Sequence, residues 1–474
     1  VKLLIQKAIS SVAHHRFLWA GILLFFLYLT LNRLTDAFFL FDDYYHLDAA
    51  SHIDVQTLFF KKSTNVFRPT AFALWRAQFA LGGWTHPWVY LLSSATMHGV
   101  STLLLYRVGK NLGLDTRTAS ISSIFFLLSP WSSEVVAWAS GQMDLDAALL
   151  GLLATFFATA AFRAQSRGAE CNAHALCAAS FCLALCAKEA AFAVPLLIPC
   201  ILAPNVIRER SPRFFRLVGV FAIGLAVYVA LRVRIIGVFK SEYGSYGELM
   251  SQADLFHNLR RYVSAYVFGL PFDQRTSPWN TAFRIAAGVL LLANGLRAAR
   301  PRAVGLALAF LVSLLPVLWV ETSAYTTQPG RFRYIPGLFV CLLFGNGFSA
   351  LQDAFEKLTG NLRALVWIFP VASAIAMARS LAFQQSVWSL SSRMAKQAIE
   401  QFEPLLGTNT PVFIPNLAYG FSMGVHGLKP YAFRMYFRGR NPPPVSAKTL
   451  GLRAASHPSP DQRFFGDMKK GWLA

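Results

Sequence analysis

Apolar runs of about 17 to 25 residues recur along most of this sequence, each long enough to cross roughly 30 Å of hydrocarbon as a helix. That repetition constrains the fold more than any other feature. It makes the chain an all-α integral membrane protein, because a segment crossing lipid must satisfy its backbone amides internally. The composition agrees, since 55% of the 474 residues are hydrophobic and only 14% are charged. About eleven spans are expected, near residues 16–35, 88–107, 117–130, 144–162, 170–187, 189–204, 214–236, 279–297, 302–320, 333–350 and 363–383.

Orientation follows from the basic residues. Lys2, Lys7 and Arg16, then Arg107, Lys110 and Arg117, Arg163 and Arg167, Arg208 to Arg216, Arg297 to Arg302, and Lys357 with Arg363 all fall on one side when the spans alternate, and that side is expected to be cytoplasmic. Arg68–Gly83 is apolar enough to cross but would break this parity, so it is expected to be an interfacial or re-entrant helix. Asp48–Lys62 reads as a second, amphipathic helix on the surface. The expected division is a membrane domain over 1–383, with an outer loop over 36–87, and a small soluble extracytoplasmic domain over 384–474. In the latter, Val387–Phe402 has helical periodicity and Pro411-Val412-Phe413-Ile414-Pro415 reads as a short buried strand. The first apolar run has no small-residue cleavage site behind it and reads as an anchor.

The net charge of +21 comes largely from these cytoplasmic loops, and the tail from Gln384 adds 11 Lys/Arg against 4 Asp/Glu. Because the charge is dispersed among spans without a binding module, nucleic acid is excluded as a partner and an anionic lipid or phosphate-bearing substrate is favoured. The six cysteines all sit in apolar segments without metal-ligand spacing and read as small buried hydrophobes.

The same topology gathers charges of both signs at the outer face. Asp42 and Asp43 follow the first span directly, where charge is expensive, and partial burial with mutual repulsion would raise one carboxylate toward the range of a general base. Either could equally cap a surface helix. Arg68, Lys188, Arg331 and Arg333 lie at outer span ends, placed to hold a lipid phosphate or to anchor at the surface. Carboxylate and cations together describe a group transfer in which a phosphate on a lipid leaves while a hydroxyl attacks.

These residues resemble a family. The acidic pair after the first span, Arg68-Pro69, and His86-Pro87-Trp88-Val89-Tyr90 leading to Met97-His98 look like the opening third of the GT-C glycosyltransferases, in particular bacterial relatives of the protein O-mannosyltransferase and TMTC families. The block from Leu128-Ser129-Pro130-Trp131 through Glu134-Val135-Val136-Ala137 to Gly141-Gln142-Met143-Asp144-Leu145 is the most specific match. Lys188-Glu189 and Arg331-Phe332-Arg333-Tyr334 resemble later family blocks. The resemblance covers about residues 30–350. Ser129 stands where the family often has His and Gln142 where it often has Arg, and the long helical-repeat tail of the TMTC branch is missing.

The resemblance implies a GT-C bundle that transfers a sugar from a polyprenyl-phosphate donor to an acceptor hydroxyl, with inversion, at the periplasmic face of a bacterial inner membrane. Asp42 or Asp43 would be the base, and Lys188, Arg331, Arg333, Tyr334 and Arg68 would bind the donor phosphate. Glu134, Asp144, Glu189 and His46 would line the sugar or acceptor pocket. No cofactor is implied beyond the donor itself, and a divalent metal is compatible with the carboxylates but not demanded by their spacing. The acceptor would be a glycan, a lipid or a protein. A flippase for lipid-linked glycans should show internal symmetry and interrupted helices near the midplane, and a non-catalytic scaffold would use its tail to hold a partner.

Overall fold

The structure is a computed structural model that describes residues 33–52, 54–60, 66–209, 212–237, 252–267, 277–295, 301–318, 330–355 and 365–405, together with Gly21, Leu24, Tyr28 and two short strands. In chain order the helices are α1 (Asp43–His52), α2 (Val55–Phe60), α3 (Pro69–Gly82), α4 (Trp88–Asn111), α5 (Thr116–Leu127), α6 (Ser133–Ala137), α7 (Gln142–Phe162) and α8 (Arg167–Ala187). They continue with α9 (Val194–Glu209), α10 (Pro212–Ile236), α11 (Gln252–Val267), α12 (Pro278–Ala293), α13 (Pro301–Leu314), α14 (Tyr334–Phe355) and α15 (Ile368–Phe402). Strands β1 (Val412–Phe413) and β2 (Val445–Ser446) pair in parallel, and β1 falls where the strand was expected.

Helices stand at ten of the eleven expected positions, and the first span lies mostly outside the described residues. Among the described residues, Ala139–Phe162, Arg167–Ala187, Pro212–Ile236 and Gly330–Phe355 are long and apolar enough to cross a membrane. The expected span at 117–130 is instead a pair, Thr116–Leu127 and Pro130–Ala137, bent by 48°. Pro130 supplies no amide hydrogen and drives Ser129 out of the helical region to φ −62, ψ 123, while the Ser129 hydroxyl accepts from Trp131 N and starts the next turn.

The ends of α8 and α10 show how the bundle is registered. At one end Glu170 accepts from Arg216 at 2.9 Å and lies 3.4 Å from Arg213 Nε. At the other, Glu189 pairs with Arg232 at 3.0 Å. Eighteen residues of helix, about 27 Å at 1.5 Å per residue, separate Glu170 from Lys188, close to the hydrocarbon thickness. Charge therefore closes both ends of an apolar column, as the alternating topology requires.

At the centre, 94% of the apolar stretch of α14 is buried within the protein. Its glycines allow that closeness: a Cβ at Gly347 would stand 1.8 Å from the Leu290 carbonyl oxygen of α12. The Asn294 and Asn346 side chains bond across the same contact at 2.8 Å.

Two further differences from expectation concern the outer elements. α15 runs unbroken for 35 residues through the expected domain boundary at 383/384, because one face of its second half, including Gln384, Gln385, Trp388 and Ser392, is buried. Gln384 bonds the Ser133 hydroxyl, Trp388 stacks on Trp138 with ring centroids 6.4 Å apart, and Arg33 donates to the carbonyls of Gln385 and Ala137. The soluble tail beyond Leu405 lies outside the described residues except for its strand pair. α11, unforeseen in the sequence, buries Asn258, Tyr262, Ala265 and Tyr266 along one face, the spacing of an amphipathic helix. The Arg68–Gly83 segment is the helix expected there: Pro69 opens α3 and Gly83, at φ +52, closes it by donating to Phe79 O.

Candidate functional site

The acidic pair sits on a tight reversal. Phe41 has φ +45, a conformation that costs a bulky residue of order 1–3 kcal/mol and recurs at functional sites. The next two residues diverge. Asp43 is 1% exposed and accepts from Leu40 N at 2.9 Å, Ser140 N at 2.7 Å and the Ser140 hydroxyl at 2.5 Å. Burial pushes its carboxyl up to about 7 against the downward pull of those donors. Asp42 is half-buried, and its carbonyl accepts from His46 N, closing the first turn of α1. Asp43 thus ties the reversal to the 137–141 loop, while Asp42 stands beside it with its side chain less enclosed.

That loop holds the reversal at a second point, where Trp138 Nε1 donates to Leu40 O at 3.3 Å. Gly141 lets the loop close on itself, since a Cβ there would stand 2.7 Å from Glu134 O. The Arg331 guanidinium lies 5.0 Å from the Trp138 ring centroid, a cation–π distance, so one indole joins the acidic reversal to the cation cluster.

The cations are held by carboxylates. Arg68 donates from Nε and Nη2 to a single oxygen of Glu189, at 3.1 and 2.8 Å. The other oxygen of Glu189 takes Arg232, which also donates to the Tyr228 hydroxyl. Lys188 Nζ lies 2.5 Å from Asp144 Oδ2. Glu134, 1% exposed, accepts from the Arg331 backbone at 3.0 Å and lies 3.9 Å from Arg331 Nε. Arg333 is fully buried, and its carbonyl accepts from the Tyr266 hydroxyl at 2.6 Å.

Local sequence explains these positions. α8 ends where Lys188 turns extended, at φ −162 and ψ 147, which aims consecutive side chains in different directions: Lys188 to Asp144 and Glu189 to the two arginines. Asp144 lies in the first turn of α7, where the helix dipole favours an anion. His46, on the inner face of α1, meets the rings of Phe72 and Trp75 at 5.5 and 5.3 Å. Burial, with Arg68 and Arg331 nearby, holds its imidazole down at about 3, so it is neutral.

A groove of about 410 Å³ opens beside the cluster, walled by Phe192, Leu196, Leu315, Pro316 and Phe332, with Lys188 and Glu189 on its rim. Leu196 and Leu315 are half exposed, so the groove faces outward between the 189–202 and 302–317 segments.

The structure therefore brings Asp42, Asp43, His46, Arg68, Glu134, Asp144, Lys188, Glu189 and Arg331 to one end of the bundle. Tyr334 is elsewhere: it is 1% exposed, with its hydroxyl 2.8 Å from His98 Nδ1. His98 Nε2 lies 3.3 Å from Leu127 O, and since a carbonyl only accepts, Nε2 carries the proton and Nδ1 accepts from Tyr334. This anchors the Arg331–Arg333 turn to α4. Sequence reasoning passed over Trp138 and Ser140 as site residues, though both stand between Glu134 and Asp144 in the most specific motif. Arg232, near the end of α10, joins the cluster through a carboxylate partner, Glu189. Among the described residues, no group of His, Cys, Asp and Glu is arranged to hold a metal ion.

Fold and membrane-spanning helices together define a multi-pass membrane protein of the GT-C architecture, as expected. The chain is similar to the crystal structure of ArnT from Cupriavidus metallidurans in the apo state, with a TM-score of 0.55 and 14% identity over 92% of this chain and 86% of that one. It is similar also to ArnT from the same organism bound to undecaprenyl phosphate, with a TM-score of 0.52 and 13% identity over the same shares. No protein-family model matches the chain, and no curated protein matches it in sequence.

Proposed function

We propose that the protein is a membrane glycosyltransferase that moves a sugar from a polyprenyl-phosphate donor to an acceptor hydroxyl, with inversion, at the periplasmic face of a bacterial inner membrane. The observation that carries this reading is the Trp138 bridge, which sets the Asp42 reversal against Arg331 beside a lipid-facing groove with Lys188 at its rim. The ArnT structure with undecaprenyl phosphate supports the donor class.

In this reading the prenyl chain lies in the groove and its phosphate meets Lys188 and Arg331. Asp42 takes the proton of the acceptor hydroxyl as the oxygen attacks the anomeric carbon on the face opposite the phosphate. The bond from that carbon to the phosphate oxygen breaks, and the polyprenyl phosphate leaves with one more negative charge than it had as a diester. Lys188 and Arg331 stabilise that developing charge, an electrostatic contribution often worth several kcal/mol. Arg333, Tyr334 and Asp43 act as positioning residues, and Arg68 reaches the donor only through the Glu189 network. His46 and Glu134 border the sugar and acceptor space.

The test is release of free polyprenyl phosphate from a polyprenyl-phosphate sugar by purified protein offered glycan, lipid and protein acceptors, with and without EDTA. Acceptor-dependent release that Asp42→Asn abolishes is expected. Donor that stays intact with every acceptor, or full release by Asp42→Asn, refutes the assignment.

A further inference from the structure

We infer that Asp144 is an internal competitor for the lipid phosphate at Lys188, so that arrival of the donor releases the Asp144 carboxylate to bind the second substrate. The inference rests on the donor reading proposed above and adds an order of events to it.

Lys188 is shared between two places. Its ammonium lies 2.5 Å from Asp144 Oδ2 and 5.0 Å from the Phe332 ring centroid, and both Lys188 and Phe332 line the outward-facing groove. A phosphate entering that groove meets an ammonium already engaged with a carboxylate. Two acidic groups then compete for one cation.

The neighbouring cations are held differently. Arg68 presents two N–H groups to one Glu189 oxygen, and Glu189 is held from its other side by Arg232. Arg331 is flanked by the rings of Trp138 and Phe332, at 5.0 and 5.1 Å, and its backbone is tied to Glu134. A guanidinium fixed at several points keeps its place, whereas a lysine ammonium on four methylenes turns readily to a new acceptor.

Asp144 is suited to being released. It lies in the first turn of the 21-residue helix α7, where the helix dipole continues to stabilise the anion once Lys188 has gone. It is also close enough to Glu134 for the two charges to repel. A carboxylate so placed attracts hydroxyl donors. Freed by the donor, Asp144 therefore recruits the second substrate, and donor binding precedes acceptor binding.

The experiment titrates the full chain, in lipid nanodiscs, with undecaprenyl phosphate as probe. Asp144→Asn should bind the probe about tenfold more tightly, about 1.4 kcal/mol, because it removes the competitor. Lys188→Met should bind it about tenfold more weakly, and in that background Asp144→Asn should change affinity by less than about twofold. Asp144→Ser carries the same test if the Asn variant does not fold. An unchanged or weakened affinity in both Asp144 variants overturns the inference and leaves the donor reading standing. A gain that persists with Lys188→Met overturns it too, because it would reflect general loss of negative charge. A Lys188→Met variant that binds the probe as tightly as the natural chain overturns the donor reading itself.

Discussion

Replacing Asp43 with asparagine separates the two halves of the acidic pair. In the native site, Oδ1 of Asp43 accepts both Ser140 donors and Oδ2 accepts Leu40 N. Asparagine can keep the first two bonds through its carbonyl oxygen, but its amide nitrogen then faces the Leu40 N–H, donor against donor. One buried backbone N–H loses its partner, at about 1–3 kcal/mol, and the bonds that remain lose their charge assistance. The expected loss of stability is about 2–4 kcal/mol, seen as a lowered unfolding midpoint of the purified protein in detergent. Asp42→Asn should leave that midpoint unchanged while lipid release falls by a factor on the order of 10² to 10⁴, the usual worth of a general base. The reverse pattern, a stable but inactive Asp43→Asn and an unstable Asp42→Asn, would refute the division of roles.

Arg331→Ala removes the stack on Trp138 as well as the charge, and should weaken binding of undecaprenyl phosphate about tenfold, or about 1.4 kcal/mol, in the same titration. Because the His46 imidazole is held down at about 3, the unfolded chain binds a proton there that the folded chain refuses. Its stabilising share is complete above pH 6.5 and shrinks as the pH falls toward 3, so His46→Gln should flatten the acid-side decline in unfolding midpoint. Gly347→Ala drives a Cβ into the Leu290 carbonyl and should cost about 3 kcal/mol or more, because backbone must shift; a melt indistinguishable from that of the natural chain would contradict the close contact of α12 and α14.

Asp42 and Asp43 also show where reading by type stops. Adjacent residues share composition, exposure pattern and motif, so nothing local separates them. The separation comes from Ser140, 97 residues away, which donates to the Asp43 carboxylate from both its backbone and its hydroxyl. Tyr334 illustrates the converse. As part of Arg331-Phe332-Arg333-Tyr334 it was expected at the phosphate, yet a helix turn points successive side chains in different directions, and Tyr334 points inward to His98. That α15 continues across 383/384 has a related reason. Gln384, Trp388 and Ser389 are polar or amphipathic enough to suggest solvent, and only the packing of the 133–141 loop and Arg33 against them buries that face of α15.

By itself, the sequence determined that this chain spans a membrane many times, where ten of its helices lie, and which charges collect at one end. Those properties are local, because the hydrocarbon thickness sets a minimum apolar length that is legible in any window, and the alternation of spans then sorts the loops between two sides. Only the tertiary structure decided which carboxylate faces which cation: Glu189 with Arg68 and Arg232, Asp144 with Lys188, Glu134 with Arg331. A charge in a sequence has a sign but no partner, and pairing depends on distances across a bundle whose helices meet from positions far apart in the chain.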